Sequence, residues 1–338
     1  MSAAALDRLL AALVAAQVVT GLLTLRAGSP PTAVLFVVHG MLAGALAVAV
    51  LLKLWRAVPR AVAARRWGRL ALASVLGVAA GVALVGGFAW VVSGRIVWVG
   101  PWTLLTIHVL AALVLIPIAV VHLVPTRWRV LRPPRRRPQA PAGRSRPISR
   151  RALLTVGVMG AVGVVGWMTA NALEMLTGGT RRFTGSRFLP DGGIPPATTF
   201  YGEPAPLIDL AAWRLRVAGH VQRELLLSAD ELAALGSVDR EEILDCTSGW
   251  ALRTGWHGIP LGAVLDAASP HPLARSVVVR SATGWATSLS LAEARGALLA
   301  TGVAGQPLPA GNGAPCRLVV PDRRGLDWVK WVVEISVA

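Results

Sequence analysis

The sequence predicts a multi-domain chain in which an all-α transmembrane helical bundle precedes a mixed α+β domain. Three observations carry that reading. Of 338 residues, 54% are hydrophobic and only 15% are charged, a balance that water-soluble chains of this size rarely show. The formal net charge of +17 is unevenly spread: basic residues crowd short stretches between apolar runs as far as Arg181, and from Arg182 onward acidic side chains slightly outnumber basic ones. Near Arg181 the long apolar runs also give way to short alternating segments broken by Gly and Pro. This is the charge pattern of membrane topology rather than of a phosphate-binding face, so it argues against nucleic acid and implies membrane lipid as a partner. Cys246 and Cys316 allow at most one disulfide, which excludes a disulfide-stapled scaffold.

Five apolar runs approach or reach the length of about 20 residues that a helix needs to cross a bilayer: 9–25, 33–54, 70–92, 102–124 and 152–172. The first is the shortest, and Asp7 and Arg8 mark its expected limit. Trp55, Trp67, Trp90, Trp98, Trp102 and Trp128 lie near the ends of runs, where amphipathic rings favour the headgroup region. The second connecting loop carries Lys53, Arg56, Arg60, Arg65, Arg66 and Arg69, and the fourth carries ten arginines between Arg127 and Arg151. The first and third hold only Arg26 and Arg95. Basic loops stay in the cytoplasm. The expected topology in the cytoplasmic (inner) membrane therefore has the N-terminus inside and everything after residue 173 outside.

The expected organisation is a four-helix transmembrane domain at 1–125, a linker at 126–150, a fifth helix at 151–173 and an extracytoplasmic domain at 181–338. The linker is rich in Pro and Arg. It ends in Ser149-Arg150-Arg151-Ala152-Leu153-Leu154 ahead of a run of small apolar residues, which resembles a twin-arginine export signal placed inside the chain. Two further cytoplasmic arginines are the simpler alternative. The export route carries folded domains, which suits a domain that acquires a cofactor before crossing.

His39, His108 and His122 fall within apolar runs, where ionisable groups are costly and mark function. His39 and His108 each lie about six residues in from the outer end of their helices, roughly 9 Å deep at 1.5 Å per residue. That common level suits one haem clamped between two helices. His122 lies one face-repeat further along the helix of His108, about 40° off the same face at 3.6 residues per turn. The spacing resembles that of four-helix cytochromes b with two haems. An inner site needs a histidine near position 53, where Lys53 stands. The pattern thus points to one outer b-type haem on His39 and His108, with helix-packing hydrogen bonds or a quinone or proton site as alternatives.

Beyond Arg181 the elements are short. Residues 213–217 alternate as a half-buried strand, 276–282 and 317–320 read as strands, and 328–337 as the closing one. Ser228 with Glu231, and Ser290 with Glu293, form capping boxes that open two short helices. The concentrated chemical feature is Ile243-Leu244-Asp245-Cys246-Thr247-Ser248-Gly249-Trp250. An apolar strand there delivers a cysteine into a turn of small polar residues, leaving a soft thiolate ligand accessible to a soft metal centre.

The segment LDCTSGWALRTGWHGIPL (244–261) and the run NGAPCRLVVPDRRGLDWVKW (312–331) resemble the metal-ligand region and cofactor-pocket signature of the sulfite-oxidase-type molybdopterin oxidoreductases, in their exported bacterial members. The match begins near residue 183, taking in RFTGS and Thr283-Gly284-Trp285. This resemblance implies a sulfite-oxidase-like α+β fold and a molybdenum–molybdopterin cofactor whose metal is held by Cys246. It implies that Asn312 and Arg317 bind the pterin or its phosphate, that Lys330 meets the phosphate, and that Ser281 and Tyr201, the only tyrosine, occupy pocket positions. Cys316 reads as a core cysteine, His257 as a surface or supporting residue, and His220 and His271 as loop residues. Sulfite oxidases follow the ligand cysteine closely with an arginine; here the tract is Thr-Ser-Gly-Trp, and Arg253 comes seven residues on. The departure argues against sulfite, and Trp250 points to a bulkier or less anionic substrate.

Together the halves imply a membrane-anchored oxidoreductase. It would exchange electrons between a quinone or a membrane electron-transfer partner and a metal acting on a small-molecule or protein-side-chain substrate, a sulfoxide among the candidates. The competing readings are a b-type electron-transfer subunit and a metal-free binding module on a membrane anchor.

Overall fold

The computed structural model describes residues 3–65, 67–126, 150–198 and 204–338. Tyr201, nearly all of the 126–150 linker and the side chain of His122 lie outside the described residues. The chain divides into two compact bodies, one of Met1–Thr24 with Ala33–Thr180, the other of Leu25–Thr32 with Arg181–Ala338.

The first body is helical: α1 Ala3–Thr24, α2 Ala33–Ala63, α3 Trp67–Val92, α4 Leu104–Thr126 and α5 Arg150–Leu176. A two-strand hairpin, β1 Trp98–Val99 and β2 Trp102–Thr103, joins α3 to α4. All five helices are long and apolar enough to cross a membrane. Two boundaries differ from expectation. α1 runs through Asp7 to Ala3, and α2 takes in Lys53, which had been placed in a loop. The cause is that the Lys53 ammonium pairs with the Asp7 carboxylate, and a neutralised pair can lie where either charge alone would be costly. Leu6 and Leu13 of α1 pack with Ala45, Leu46 and Ala49 of α2. α2 and α5 approach through Gly44 and Gly163; a Cβ on Gly163 would run into the Met41 carbonyl, the small-residue packing that membrane helices use. Side chains such as Val75, Val78 and Val85 of α3 are exposed, as a lipid-facing surface requires.

The second body is α+β, as predicted. One sheet runs β11–β10–β7–β3, with β12 on β10 and β6 on β7; the other runs β5–β4–β13–β8–β9. The strands are β3 Arg187–Phe188, β4 Leu215–Gly219, β5 Leu225–Leu227, β6 Val238–Asp245, β7 Trp250–Pro260, β8 Ser276–Ser281, β9 Ala286–Ser290, β10 Leu298–Val303, β11 Gln306–Pro307, β12 Arg317–Val319 and β13 Val332–Val337. Between them lie α6 Ala229–Ala233, α7 Leu261–Ala268 and α8 Leu291–Gly296. Both capping boxes form, Ser228 with Glu231 and Ser290 with Glu293.

Two expected strands start later than their patterns. β4 starts at Leu215 because Trp213 turns into the core and donates its indole N–H to the Val332 carbonyl at 3.1 Å. The closing strand forms only from Val332, because Gly325–Asp327 is a 3-10 turn and Trp331 has φ +52°, outside the strand region. β6 and β7 pair over their whole length and carry the chemistry at their shared turn.

Candidate functional site

The β6–β7 turn presents Cys246. Its backbone N–H donates to the Trp250 carbonyl at 2.9 Å, and the Gly249 N–H donates to the Cys246 carbonyl at 3.0 Å. The turn closes with Gly249 at φ +97°, a conformation that glycine adopts without steric penalty. Cys246 is half-buried, and Cys316 is fully buried. Burial pushes the Cys316 thiol up to about 12, which leaves it inert as a nucleophile or ligand.

The turn is anchored from below by Asp245, which is 1% exposed. Its carboxylate accepts from Thr184 Oγ1 at 2.7 Å and Ser186 Oγ at 2.6 Å. It also pairs with Arg182 at 3.2 Å and Arg324 at 3.3 Å. Arg324 donates in turn to the Cys246 carbonyl at 3.0 Å. Breaking such a buried pair by removing one partner costs on the order of 3–5 kcal/mol, so the knot holds the cysteine backbone firmly. The role of Asp245 and Arg324 was not read from the sequence, although RFTGS supplies three of the partners and the arginine lies within the C-terminal signature.

Arg317, on β12, is 3% exposed. It donates to the Asn312 carbonyl at 3.0 Å and lies over the rings of Trp256 and Trp328 at 5.4 and 5.9 Å. No described carboxylate pairs with it. Burial pulls its guanidinium down to about 10, opposed by the field of the Cys246 thiolate. Arg317 Nε and the neighbouring Trp256 Nε1 are buried donors without a hydrogen-bond partner among the described residues. Buried donors of this kind need an acceptor, and a buried guanidinium without a counter-charge calls for an anion.

Asn312 is buried, and its side-chain amide donates to the Pro195 carbonyl at 2.8 Å. Lys330 donates to the Thr198 carbonyl at 3.0 Å and the Gly311 carbonyl at 2.6 Å, with its ammonium 5.4 Å from the Trp331 ring centre. These two residues hold the segment that brings Thr198 to 3.5 Å from Cys246 Sγ. The structure thus gathers Cys246, Asn312, Arg317 and Lys330 into one cluster. Ser281 stands at its edge: its hydroxyl meets Thr283 Oγ1 at 3.1 Å, and the next residue donates to the Trp331 carbonyl. Tyr201 lies outside the described residues. Thr198 gave no signal in the sequence.

One further expectation changes. Trp250 is 1% exposed; it is a core residue of β7, so it does not face a substrate as its position after the cysteine suggested. Arg253 is exposed and pairs with Glu241 across the hairpin at 3.8 Å. His257 is a surface residue paired with Asp239 at 2.9 Å.

In the helical body the rings of His39 and His108 lie edge to face with centres 6.2 Å apart. His108 Nδ1 meets the Ala83 carbonyl at 2.6 Å. A carbonyl only accepts, so Nδ1 carries the proton and Nε2 keeps its lone pair. His39 Nδ1 meets Thr20 Oγ1 at 2.8 Å. The Thr20 hydroxyl also lies 2.8 Å from the Ala16 carbonyl and 3.2 Å from the Gln17 carbonyl. Neither Nε2 has a hydrogen-bond partner among the described residues. A Cβ on Gly87 would lie 2.9 Å from His108 Nδ1, so only glycine admits this ring position.

Residues 202–338, within the second body, match the family model described as oxidoreductase molybdopterin binding domain. The protein-methionine-sulfoxide reductase catalytic subunit MsrP of Xanthomonas axonopodis pv. citri is 36% identical over 149 residues, covering 39% of this chain and 46% of the relative. The uncharacterised oxidoreductase YuiH of Bacillus subtilis is 30% identical over 127 residues, 37% of this chain and 64% of the relative. The chain spans about half the length of the MsrP relatives it matches. Among solved structures, the sulfane dehydrogenase SoxCD of Paracoccus pantotrophus aligns at 23% identity over 39% of this chain and 40% of its own, with a TM-score of 0.38.

The residues present fit a molybdenum–molybdopterin cofactor. A cysteine offers a soft sulfur ligand at the end of a rigid strand, and the same body holds a buried guanidinium with no carboxylate partner among the described residues, as an anionic group requires. This fit predicts how Arg317→Met behaves. In protein made without cofactor the denaturant midpoint stays near the parent's, because relief of desolvation opposes the lost stacking. In protein made with cofactor the molybdenum content falls by about tenfold or more, the scale on which metal-supporting contacts act. Severe destabilisation with molybdenum retained would show a structural arginine instead.

Proposed function

We propose that the chain is a membrane-anchored molybdopterin-dependent oxidoreductase. It exchanges electrons between the membrane and a molybdenum site on Cys246 outside the cytoplasm. The observation that carries this reading is the cysteine presented by the β6–β7 turn in the same body as a buried arginine, Arg317, that pairs with no described carboxylate. When bound, the molybdenum cofactor supplies two-electron oxygen-atom transfer. Cys246 would hold the metal, Arg317 and Lys330 would offset the cofactor's negative charge, and Asn312 would fix the segment at Pro195 that closes over it. Asp245 and Arg324 keep the ligand backbone in place.

His39 and His108 would hold one b-type haem, which relays single electrons. The two rings, with centres 6.2 Å apart and each Nδ1 engaged by Thr20 or the Ala83 carbonyl, support that assignment. Lys53 and Asp7 pair with one another where an inner ligand would be needed, so the reading has one haem per chain. A quinone of the membrane is the proposed electron partner. The loop charges support a cytoplasmic N-terminus and an extracytoplasmic C-terminal domain, exported by the twin-arginine route.

For the substrate we infer a sulfoxide, free or as an oxidised methionine side chain. The turn after Cys246 offers the hydroxyls of Thr247 and Ser248 rather than an arginine, and Arg253 pairs with Glu241 on the surface. The test is turnover of the purified protein in detergent with methionine sulfoxide and a reduced viologen, set against sulfite with an electron acceptor. Sulfoxide-dependent oxidation of the viologen is expected. Sulfite-dependent turnover alone would overturn the substrate reading.

A further inference from the structure

Two hydroxyls from distant parts of the chain converge on Cys246 Sγ. Ser248 Oγ lies 2.9 Å away in the β6–β7 turn, and Thr198 Oγ1 lies 3.5 Å away on the segment before β4. We propose that Ser248 and Thr198 are positioning residues that donate a pair of hydrogen bonds to the Cys246 thiolate and thereby set the redox poise of the metal it binds. The proposal rests on the reading of Cys246 as the molybdenum ligand.

A thiolate that shares one lone pair with a metal keeps others, and a hydroxyl can donate to them. Such hydrogen bonds withdraw electron density from the sulfur and weaken its donation to the metal, which favours the reduced state; hydrogen bonding to ligand sulfur is an established lever on potential. The two donors are fixed by separate means. Ser248 is held by the turn that Gly249 N–H and Cys246 N–H close. Thr198 is held through its carbonyl by Lys330 at 3.0 Å, and the segment just before it by Asn312 on the Pro195 carbonyl. Thr198 has no side-chain hydrogen bond other than the one to sulfur among the described residues. This gives Asn312 and Lys330 a second task, because by fixing the segment they bring the donor to the sulfur.

The test uses the full-length protein, made in a cofactor-competent host, with Ser248→Ala, Thr198→Val and the double variant. Molybdenum per chain is measured by elemental analysis, and the Mo(V)/Mo(IV) midpoint by a potentiometric titration followed by electron paramagnetic resonance. We expect molybdenum content near the parent's and a lower midpoint in each variant. The shift for Ser248→Ala corresponds to about a tenfold change in equilibrium constant, 59 mV for a one-electron couple. The shift is smaller for the longer Thr198 contact and largest in the double variant, and Ser248→Thr restores the parent value. An unchanged midpoint in a molybdenum-replete double variant overturns the proposal. So does loss of molybdenum from both single variants, which would mean the hydroxyls retain the metal rather than tune it. Absence of molybdenum from the parent would instead strike at the ligand reading beneath it.

Discussion

Replacing Cys246 with serine abolishes the molybdenum chemistry while leaving the protein folded and in the membrane. The side chain hangs from a turn closed by the backbone N–H groups of Cys246 and Gly249 and anchored by the Asp245 carboxylate and by Arg324 on the Cys246 carbonyl. The fold therefore does not depend on the sulfur. Losing contacts that merely support a metal ligand typically lowers activity 10–100-fold, so loss of the ligand itself lowers turnover by more than about a hundredfold. The measurement pairs turnover with molybdenum content and with the amount of protein in the membrane fraction. A Cys246→Ser variant that turns over at the parent's rate would remove Cys246 from the mechanism.

His39→Ala and His108→Ala are each expected to strip the proposed haem, with the Soret absorbance per chain falling at least about tenfold, while molybdenum content is retained. The reasoning is local. Each ring makes its hydrogen bond through Nδ1, to Thr20 or the Ala83 carbonyl, so Nε2 would be the nitrogen that holds the iron, and the haem would lose a protein ligand with either residue. His122→Ala keeps the haem, since its inner-leaflet counterpart is Lys53, engaged with Asp7. A Soret band that survived both single substitutions would place the haem elsewhere or give the two histidines a packing role only.

The long helices were legible because a bilayer imposes one simple demand, about 20 apolar residues in a row. Their ends were not, and Asp7 and Lys53 show why. Read singly, each charge ends a span; only the tertiary pairing lets both helices run on. In the second body the same division holds. The capping boxes at Ser228 and Ser290 are local signals and form as read. The start of β13 depends on the backbone of Trp331, which no alternation pattern reveals. Cys246 was visible as an accessible cysteine in a small-residue turn, which the β6–β7 turn presents. Thr198, 48 residues upstream in a Pro-rich stretch, was not, because nothing in its neighbourhood marks a hydroxyl that the fold will carry to a sulfur. Trp250 misled for a related reason: it follows the turn closely in sequence, yet the strand buries it.

The most direct test of the central claim is the molybdenum content of the full-length protein, purified in detergent from a host that makes molybdopterin. The account predicts close to one molybdenum per chain, falling to background in Cys246→Ser. Folded, exported protein without molybdenum would contradict it.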